Sequence, residues 1–370
     1  MFAFKESIRK SQDIRQRTVI LLIYFFYIYQ LKKRFLKQHY LTFFIAIILG
    51  QTALAQDIHF SQYFSTPLTI SPSNTGNYDG DWRAMANYRS QWKEVTKPYT
   101  TQSVGGDMNF YVHNEKISGG LLIINDKSGG SLQESSIQLS LAYHKTLGKN
   151  TFHIGVQPGI TMKNYNQDQT FPDQLDWGTG QFNSSLPNGE SNLSYRLHYF
   201  DLNWGAGYDR KLTDKLELFT AFAMYHVNSP KETFLSTSNK LAAREVLSLG
   251  VTWYLKPKIT VQPSLCMMGT EKASEFLFGA RAFYSLGADY SIAKAVFVGV
   301  YGRQGFSNLT DAFFAVIGAN YKNYYGGVSY DFNVSQLHTA SGYRGALELS
   351  FIYTGISTHL TKTQIPCDRY

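Results

Sequence analysis

Apolar residues alternate with polar or small residues in segment after segment of this 370-residue sequence. Between Ile137 and Tyr143 every second residue is apolar, and the segments that begin at Leu247, Val328 and Leu347 repeat the pattern. Successive side chains of a β-strand point to opposite faces of its sheet, so the alternation predicts strands with one apolar and one polar face. We therefore expect an all-β chain.

The alternation predicts about fourteen strands. They lie near residues 82–92, 101–113, 117–125, 135–147, 151–162, 196–211, 215–228, 241–256, 258–269, 275–288, 294–303, 311–322, 324–334 and 343–354. Most of them reach the roughly 9 to 11 residues that a tilted strand needs to cross a membrane. Strands of soluble sandwiches are usually shorter, at about 5 to 6 residues.

The connections between these segments alternate in length. Tight turns are predicted at 148–150, 213–214, 256–257, 292–293 and 323, and longer connections at 163–195, 229–240, 304–310 and 335–342. Outer-membrane barrels have short periplasmic turns at one rim and longer extracellular loops at the other. The pattern predicts an antiparallel transmembrane outer-membrane β-barrel over residues 81–356, and a secreted soluble sandwich or propeller is the alternative.

Residues 31–55 have the organisation of a bacterial export signal. Residues 32–34 are basic, 41–49 are apolar, and 53–55 read Ala-Leu-Ala, so we expect cleavage there and a mature chain that begins at Gln56. A second apolar run at 19–29 precedes the signal. We interpret the upstream residues as mistranslated sequence, with the start near Leu31. A membrane anchor is the alternative, although this run is shorter than the roughly 20 residues that a spanning helix needs.

Charge and cysteine content exclude several classes of protein. Residues 1–55 hold nine Lys or Arg and two Asp or Glu, which leaves 26 basic and 25 acidic residues in the remainder. A nucleic-acid-binding surface requires an excess of basic residues on the folded domain, so no nucleic-acid partner is predicted. Cys266 and Cys367 are too few for a disulfide framework, and we expect isolated thiols.

Short motifs stand out at both ends of the chain. They are residues 56–63 (QDIHFSQY), Pro67-Leu68, 70–73 (ISPS), Gly76, 88–92 (YRSQW) and the ending 365–370 (IPCDRY). These motifs resemble the PorP/SprF family of type IX secretion system membrane proteins. The family usually has Asn-Pro-Ala where this chain has Ser71-Pro72-Ser73, and its tail usually continues with Pro and ends in Phe where this chain has Asp368 and Tyr370. These departures are typical of drift within the motif.

The resemblance implies a non-enzymatic barrel that works with the type IX apparatus. Its expected partners are type IX components, outer-membrane lipid, and a secreted cargo or adhesin that carries a C-terminal sorting domain. The alternative function is a passive porin or a transporter of lipids or solutes. Candidate contact residues from the matching motif are Phe60, Ser61, Gln62, Tyr63, Pro67, Pro72, Gly76, Arg89 and Trp92.

Residues 56–80 are predicted to form an extended segment that precedes the first strand. Pro67 and Pro72 disfavour helix in this segment, and its aromatic side chains suit the filling of a cavity. We expect the segment to brace or fill the barrel lumen. A docking strip for a periplasmic partner is the alternative.

The connection 163–195 is the candidate surface for specificity. It combines acidic residues with aromatic ones, of which Phe171, Trp177 and Phe182 are candidate partner contacts. Unstructured loops longer than about 12 to 15 residues are usually functional or disordered. A passive lid over the pore is the alternative.

No catalytic or cofactor motif was found. The sequence contains no His-Glu-x-x-His, Gly-x-Ser-x-Gly or phosphate-loop pattern, so neither an enzyme nor a cofactor is predicted. Histidines occur on separate predicted strands, and we interpret them as unrelated polar groups. Charged residues on inward positions, such as Arg281 and Glu348, are expected to pair across the interior, because charge that faces lipid costs about 2 to 4 kcal/mol at the midplane.

Overall fold

The computed structural model describes residues 58–356 apart from eleven short gaps. These gaps are 92–96, 114, 131, 166–171, 184, 188–194, 235–238, 271–272, 288–293, 306–309 and 336–340. The leader with its cleavage site, Trp92, Phe171 and the tail 357–370 therefore lie outside the described residues.

The described residues contain sixteen strands. Two of them, Leu175–Asp176 (β6) and Gln181–Phe182 (β7), form a small hairpin within the longest connection. The other fourteen are Trp82–Gln91 (β1), Tyr99–Val112 (β2), Glu115–Ser128 (β3), Leu132–Leu147 (β4), Asn150–Tyr165 (β5), Arg196–Thr213 (β8), Leu216–Tyr225 (β9), Arg244–Lys256 (β10), Ile259–Thr270 (β11), Ala273–Ser285 (β12), Lys294–Gln304 (β13), Thr310–Tyr321 (β14), Tyr324–Asn333 (β15) and Arg344–Thr354 (β16).

These fourteen strands form one closed antiparallel barrel. Each pairs with the next along the chain, β5 pairs with β8 across the long connection, and β1 pairs with β16 from Arg83↔Thr354 to Gln91↔Ala346. Closure gives every strand two hydrogen-bonded neighbours, which is what a sheet in lipid requires. The predicted fold class, the strand number and the approximate position of each strand are confirmed.

Apolar side chains face outward and polar side chains face the lumen. Leu139 is 59% exposed and its neighbour Ser140 is 1% exposed, while Leu249 is 38% exposed and Ser248 is 7% exposed. Buried positions on the wall include many polar groups, as expected for the lumen of a membrane barrel rather than the core of a soluble protein.

The two rims differ in their connections. Turns of two residues join β4 to β5, β8 to β9, β10 to β11 and β14 to β15, and we call this end the short-turn rim. The predicted tight turn at 292–293 lies outside the described residues, in the connection between the end of β12 at Ser285 and the start of β13 at Lys294. The last backbone hydrogen bond between these two strands is the one that Leu286 N–H donates to Lys294 O, at 2.7 Å.

Helical structure in the described part of the chain is limited to single turns of three or four residues. None of these helices is long and apolar enough to cross a membrane.

Candidate functional site

Residues 58–80 lie inside the barrel, and we call them the lumen segment. Several of its polar side chains have no exposed surface at all, among them Ser61, Gln62, Ser71 and Ser73. Burial of so many polar groups is costly unless each finds a hydrogen-bond partner. The partners are inward-facing residues of the wall, which makes the lumen segment an integral part of the folded barrel.

The lumen segment consists of single helical turns. These are Tyr63–Ser65, Pro67–Ile70 and Pro72–Asn74. The prediction that Pro67 and Pro72 keep this segment free of helix was therefore wrong. Each proline occupies the first turn of its helix, where a missing N–H costs nothing and the fixed φ angle suits the start of a helix.

Glu348 binds two consecutive backbone N–H groups of the lumen segment. Ser61 N–H donates to Oε2 and Gln62 N–H donates to Oε1, both at 2.8 Å. The Gln62 side-chain amide adds bonds to Ser329 Oγ at 3.1 Å and to the Glu348 carbonyl at 3.2 Å. One carboxylate on β16 thus fixes the position of two adjacent residues of the lumen segment.

Four buried charged residues surround Ser61, and we call Arg89, Arg303, Asp331 and Glu348 the interior charge cluster. Arg89 lies 3.0 Å from Asp331 and 3.1 Å from Glu348, and Arg303 lies 2.9 Å from Asp331. Ser61 Oγ donates to Asp331 at 2.8 Å and accepts from Arg89 at 2.6 Å. Each buried carboxylate of the cluster thus has an arginine partner, and Arg303 also lies 2.8 Å from Asp311 and 3.4 Å from Glu275.

A second attachment point lies at Gly76. Its N–H donates to Asp107 Oδ2 at 2.7 Å, and Arg83 holds the same carboxylate through two bonds at 3.0 and 2.6 Å. The Tyr78 hydroxyl donates to Asp107 O at 2.7 Å, and burial raises the pKa of Tyr78, which keeps that donor protonated. Gly76 itself has a φ of +73°, a backbone angle that residues with a Cβ rarely adopt.

Gly76→Ala is expected to destabilise the barrel by about 1 to 3 kcal/mol, the usual cost of a strained backbone position. The new Cβ would meet Ser118 Oγ at 1.9 Å, so strain and overlap act together. Urea unfolding of the protein in detergent measures the effect. Gly326→Ala is the matched control, because a Cβ there meets nothing within 4 Å. Equal midpoints for the two variants would contradict the tight fit at Gly76.

Glycines in the wall allow the lumen segment to approach β5 and β8 closely. A Cβ on Gly155 would lie 2.4 Å from the Pro72 carbonyl, and one on Gly205 would lie 2.2 Å from Ser71 Oγ. On the other side of the segment, Tyr63 packs edge-on against Tyr301 and its hydroxyl donates to Ser264 Oγ at 2.8 Å. The candidate contact residues of the N-terminal motif that the structure describes therefore lie in the lumen, including Phe60, which is buried.

Interior charges pair as expected at Glu348 but not at Arg281. Arg281 donates to Gln262 Oε1 at 2.7 Å and its guanidinium lies 3.8 Å from the centre of the Phe64 ring. Within the described residues no carboxylate lies in ion-pair distance of Arg281. The expected pairing of this residue was wrong, because its strand neighbours on the lumen face are neutral.

The structure brings two of the histidines together. His144 Nδ1 and His153 Nδ1 are 2.6 Å apart, His144 Nε2 lies 2.8 Å from Thr75 O, and His153 Nε2 lies 3.2 Å from Asp209. Their interpretation as unrelated groups was therefore wrong for this pair. Both His144 ring nitrogens are used in these contacts, which link the lumen segment to β4, β5 and β8.

A small hairpin projects Trp177 from the longest connection. β6 and β7 pair Leu175 with Phe182, and Trp177 at the tip is 87% exposed. The Asp176 carboxylate accepts from Gly178 N–H at 2.9 Å, and this bond lowers the pKa of Asp176. The hairpin thus holds an exposed indole in a defined position, and Phe182 is also exposed.

Sequence reasoning found Ser61, Gln62 and Arg89 and placed Glu348 on an inward position, but it missed Asp331, Arg303 and Asp107 and did not predict which residues Glu348 binds. Asp331 and Glu348 occupy inward positions of the alternation in β15 and β16, which was the available signal. Arg303 and Asp107 likewise interrupt strands that are otherwise neutral on the inward face. Acidic and basic residues at such positions indicate interior charge pairs, although the alternation does not say which of them meet.

Comparison with known families matches most of the chain to one described family. The profile described as "Type IX secretion system membrane protein PorP/SprF" matches residues 52–353, which is most of the chain. Comparison with curated protein sequences gives no significant match.

Solved structures with a similar arrangement of strands are bacterial barrels. The Pseudomonas putida toluene transporter TodX has 10% identity and a TM-score of 0.47 over 82% of this chain and 95% of its own. A Pseudomonas aeruginosa FadL homologue has 12% identity and a TM-score of 0.48 over 76% of this chain and 92% of its own. The CymD monoaromatic hydrocarbon channel has 9% identity and a TM-score of 0.48, covering 80% and 94%. Similarity at this level does not extend to what these proteins carry.

Proposed function

Because this chain belongs to the PorP/SprF family of type IX secretion system membrane proteins, we propose that it is a non-catalytic barrel of the outer membrane that assists one exported protein. The barrel assists either the secretion of that protein or its attachment at the cell surface. The cargo is a large protein or adhesin with a C-terminal sorting domain, and the other partners are type IX components and outer-membrane lipid.

One observation carries this proposal: the lumen segment lies within the interior and is bonded to the wall on several sides. Glu348 and Asp107 hold it at two places, through Ser61, Gln62 and Gly76. A barrel whose lumen is occupied by its own chain is suited to act through its surfaces. The apolar outer face, with its aliphatic and aromatic side chains, supports placement in a bilayer.

The alternative is a passive porin or a transporter of lipids or solutes. It requires that the lumen segment leave its bonded position, because that segment and its wall contacts occupy the interior. The buried ion pairs of the interior charge cluster around Ser61 oppose such movement. This favours the surface-binding function.

Deletion of the gene tests the proposal. A cargo-specific role predicts loss of one or a few large surface proteins from the envelope while other type IX cargo is still secreted. A role in the core apparatus predicts that all type IX export stops. An unchanged surface proteome together with altered uptake of small solutes would overturn the proposal in favour of the porin.

Trp177→Ala is expected to leave the barrel folded and to release the cargo from the cell surface. The exposed indole on a fixed hairpin has the properties of an interface hot spot, where truncation costs 2 kcal/mol or more, roughly a factor of 30 in affinity. Surface proteomics of the variant strain measures retention. Trp253→Ala, which removes an indole from the outer wall, is the control. Normal cargo retention in the Trp177→Ala strain would exclude the hairpin as the contact.

A further inference from the structure

A cavity of about 600 Å³ lies between the lumen segment and the wall. Phe64, Pro67 and Ile70 of the lumen segment form its apolar floor. Gly148 and Lys149 of the β4–β5 turn also line it, so the cavity reaches the short-turn rim. Short turns lie on the periplasmic side of outer-membrane barrels, which makes this space accessible to periplasmic proteins. It is on the opposite rim from the Trp177 hairpin.

Basic residues outnumber acidic ones around the cavity. Five basic residues line it, Arg83, Lys149, Arg210, Lys211 and Arg281, against the acidic residues Asp209 and Glu217. Asp107 neutralises Arg83 at 2.6 Å, and Lys211 lies 3.8 Å from Asp214. Within the described residues, Lys149, Arg210 and Arg281 have no carboxylate in ion-pair distance.

Arg281 is placed to receive an anion next to an apolar group. Its guanidinium lies over the Phe64 ring at 3.8 Å, and one of its nitrogens is fixed by Gln262 at 2.7 Å. Stacking and neutral contacts with Gln262, Tyr301 and Tyr325 orient the guanidinium. Its buried Nε has no hydrogen-bond partner, and a guanidinium has five N–H donors, so donors remain for a ligand. A carboxylate bound there would lie beside the aromatic floor.

The rest of the lining combines the apolar residues Leu218, Phe219, Ala221 and Ile352 with polar uncharged residues. Ser248, Thr252, Gln262 and Ser264 present hydroxyl and amide groups to the cavity. Such groups match the amides of a peptide backbone, whereas an alkyl chain would leave them without hydrogen bonds. The volume is within the range of pockets that hold compact ligands, about 300 to 1,000 Å³. The hydroxyl and amide groups of the lining therefore favour a short stretch of polypeptide over a lipid, and the apolar residues can contact its apolar side chain.

We propose that this cavity binds an extended acidic peptide segment of a periplasmic partner, with a carboxylate on Arg281 and an apolar side chain against Phe64. The inference goes beyond the proposed function, because binding at this rim does not depend on cargo at the Trp177 hairpin. Charge complementarity between the basic lining and the acidic segment carries it, together with the polar wall.

Peptide binding to the full chain in detergent tests the proposal. The probe is fluorescein-labelled Gly-Ser-Asp-Phe-Asp-Ser-Gly, and its isosteric control has Asn in place of both Asp residues. Fluorescence anisotropy is expected to show at least about tenfold tighter binding of the acidic peptide, with affinity that falls as salt is raised. Arg281→Gln is expected to weaken binding of the acidic peptide about tenfold, and Arg281→Lys is expected to weaken it less.

Two further variants separate a specific site from general attraction to the basic rim. Lys258→Gln removes an exposed charge of the β10–β11 turn that does not line the cavity, and it should leave binding unchanged. Thr252→Trp should abolish binding, because the indole fills the cavity. Heat-modifiable gel mobility should show that the barrel of this variant remains folded. Equal affinity for the two peptides would overturn the proposal, and so would equal losses in the Arg281→Gln and Lys258→Gln variants. Displacement of the peptide by dodecanoate, bound in an Arg281-dependent manner, would assign the cavity to fatty acids instead.

Discussion

Replacing Glu348 by glutamine is expected to destabilise the barrel by about 3 to 5 kcal/mol, the usual cost of breaking a buried ion pair. The carboxylate accepts from two backbone N–H groups and pairs with Arg89 at 3.1 Å. An amide has an NH₂ group in place of one oxygen, so a donor would face a donor and Arg89 would lose a counter-charge. Urea unfolding measures the stability, and limited proteolysis reports release of the lumen segment.

Asp214→Asn provides the control for Glu348→Gln. The Asp214 side chain is 99% exposed at the β8–β9 turn, where loss of a charge has little effect. Faster cleavage within residues 58–80 is expected for Glu348→Gln alone. A Glu348→Gln protein that unfolds at the wild-type urea concentration and protects its lumen segment would contradict the role given to this carboxylate.

Arginine at Leu249 is expected to cost about 2 to 4 kcal/mol of stability in a bilayer, because Leu249 faces outward from the middle of β10. Arginine at the adjacent Ser248 should cost much less. Ser248 faces inward and lines the cavity, which has room for a longer side chain and is already polar. Refolding into lipid vesicles followed by urea titration compares the two variants.

The pair Leu249→Arg and Ser248→Arg controls for position, since the two residues are neighbours at one depth of the barrel. Unequal losses of stability with the greater loss at Leu249 follow from the assigned faces. Equal losses, or a greater loss at Ser248, would show that these strands do not present their apolar face to lipid.

The barrel itself was predictable because the alternation that marks its strands involves only residues that are close together in the sequence. A strand such as β10 must alternate when one face meets lipid and the other meets a polar lumen, and the alternation over Leu247 to Leu255 is visible without a structure. The end of β12 was not predictable in this way. Leu286 continues the apolar alternation beyond Ser285, but strand pairing with β13 ends at the hydrogen bond from Leu286 N–H to the carbonyl of Lys294.

The interior contacts depended on geometry that local patterns do not contain. Alternation places Asp331 and Glu348 on the inward face, but which residues they bind depends on the path of the lumen segment. Proline content suggested an extended path for that segment, whereas Pro67 and Pro72 each begin a helical turn. A proline is compatible with an extended segment and with the first turn of a helix. Contacts with the barrel wall determine which of the two forms.

The bonds between the lumen segment and β16 join parts of the chain that are up to 287 residues apart in sequence. Contacts of such high contact order slow folding, because the entropy of closing a long loop is lost before any stabilisation is gained. Ser61 also leaves the ribosome long before Glu348 does. The segment therefore cannot reach its final position until the last strand has been translocated and has paired with β1. Occupation of the lumen is in this sense a late folding event, and it reports that a complete barrel has assembled.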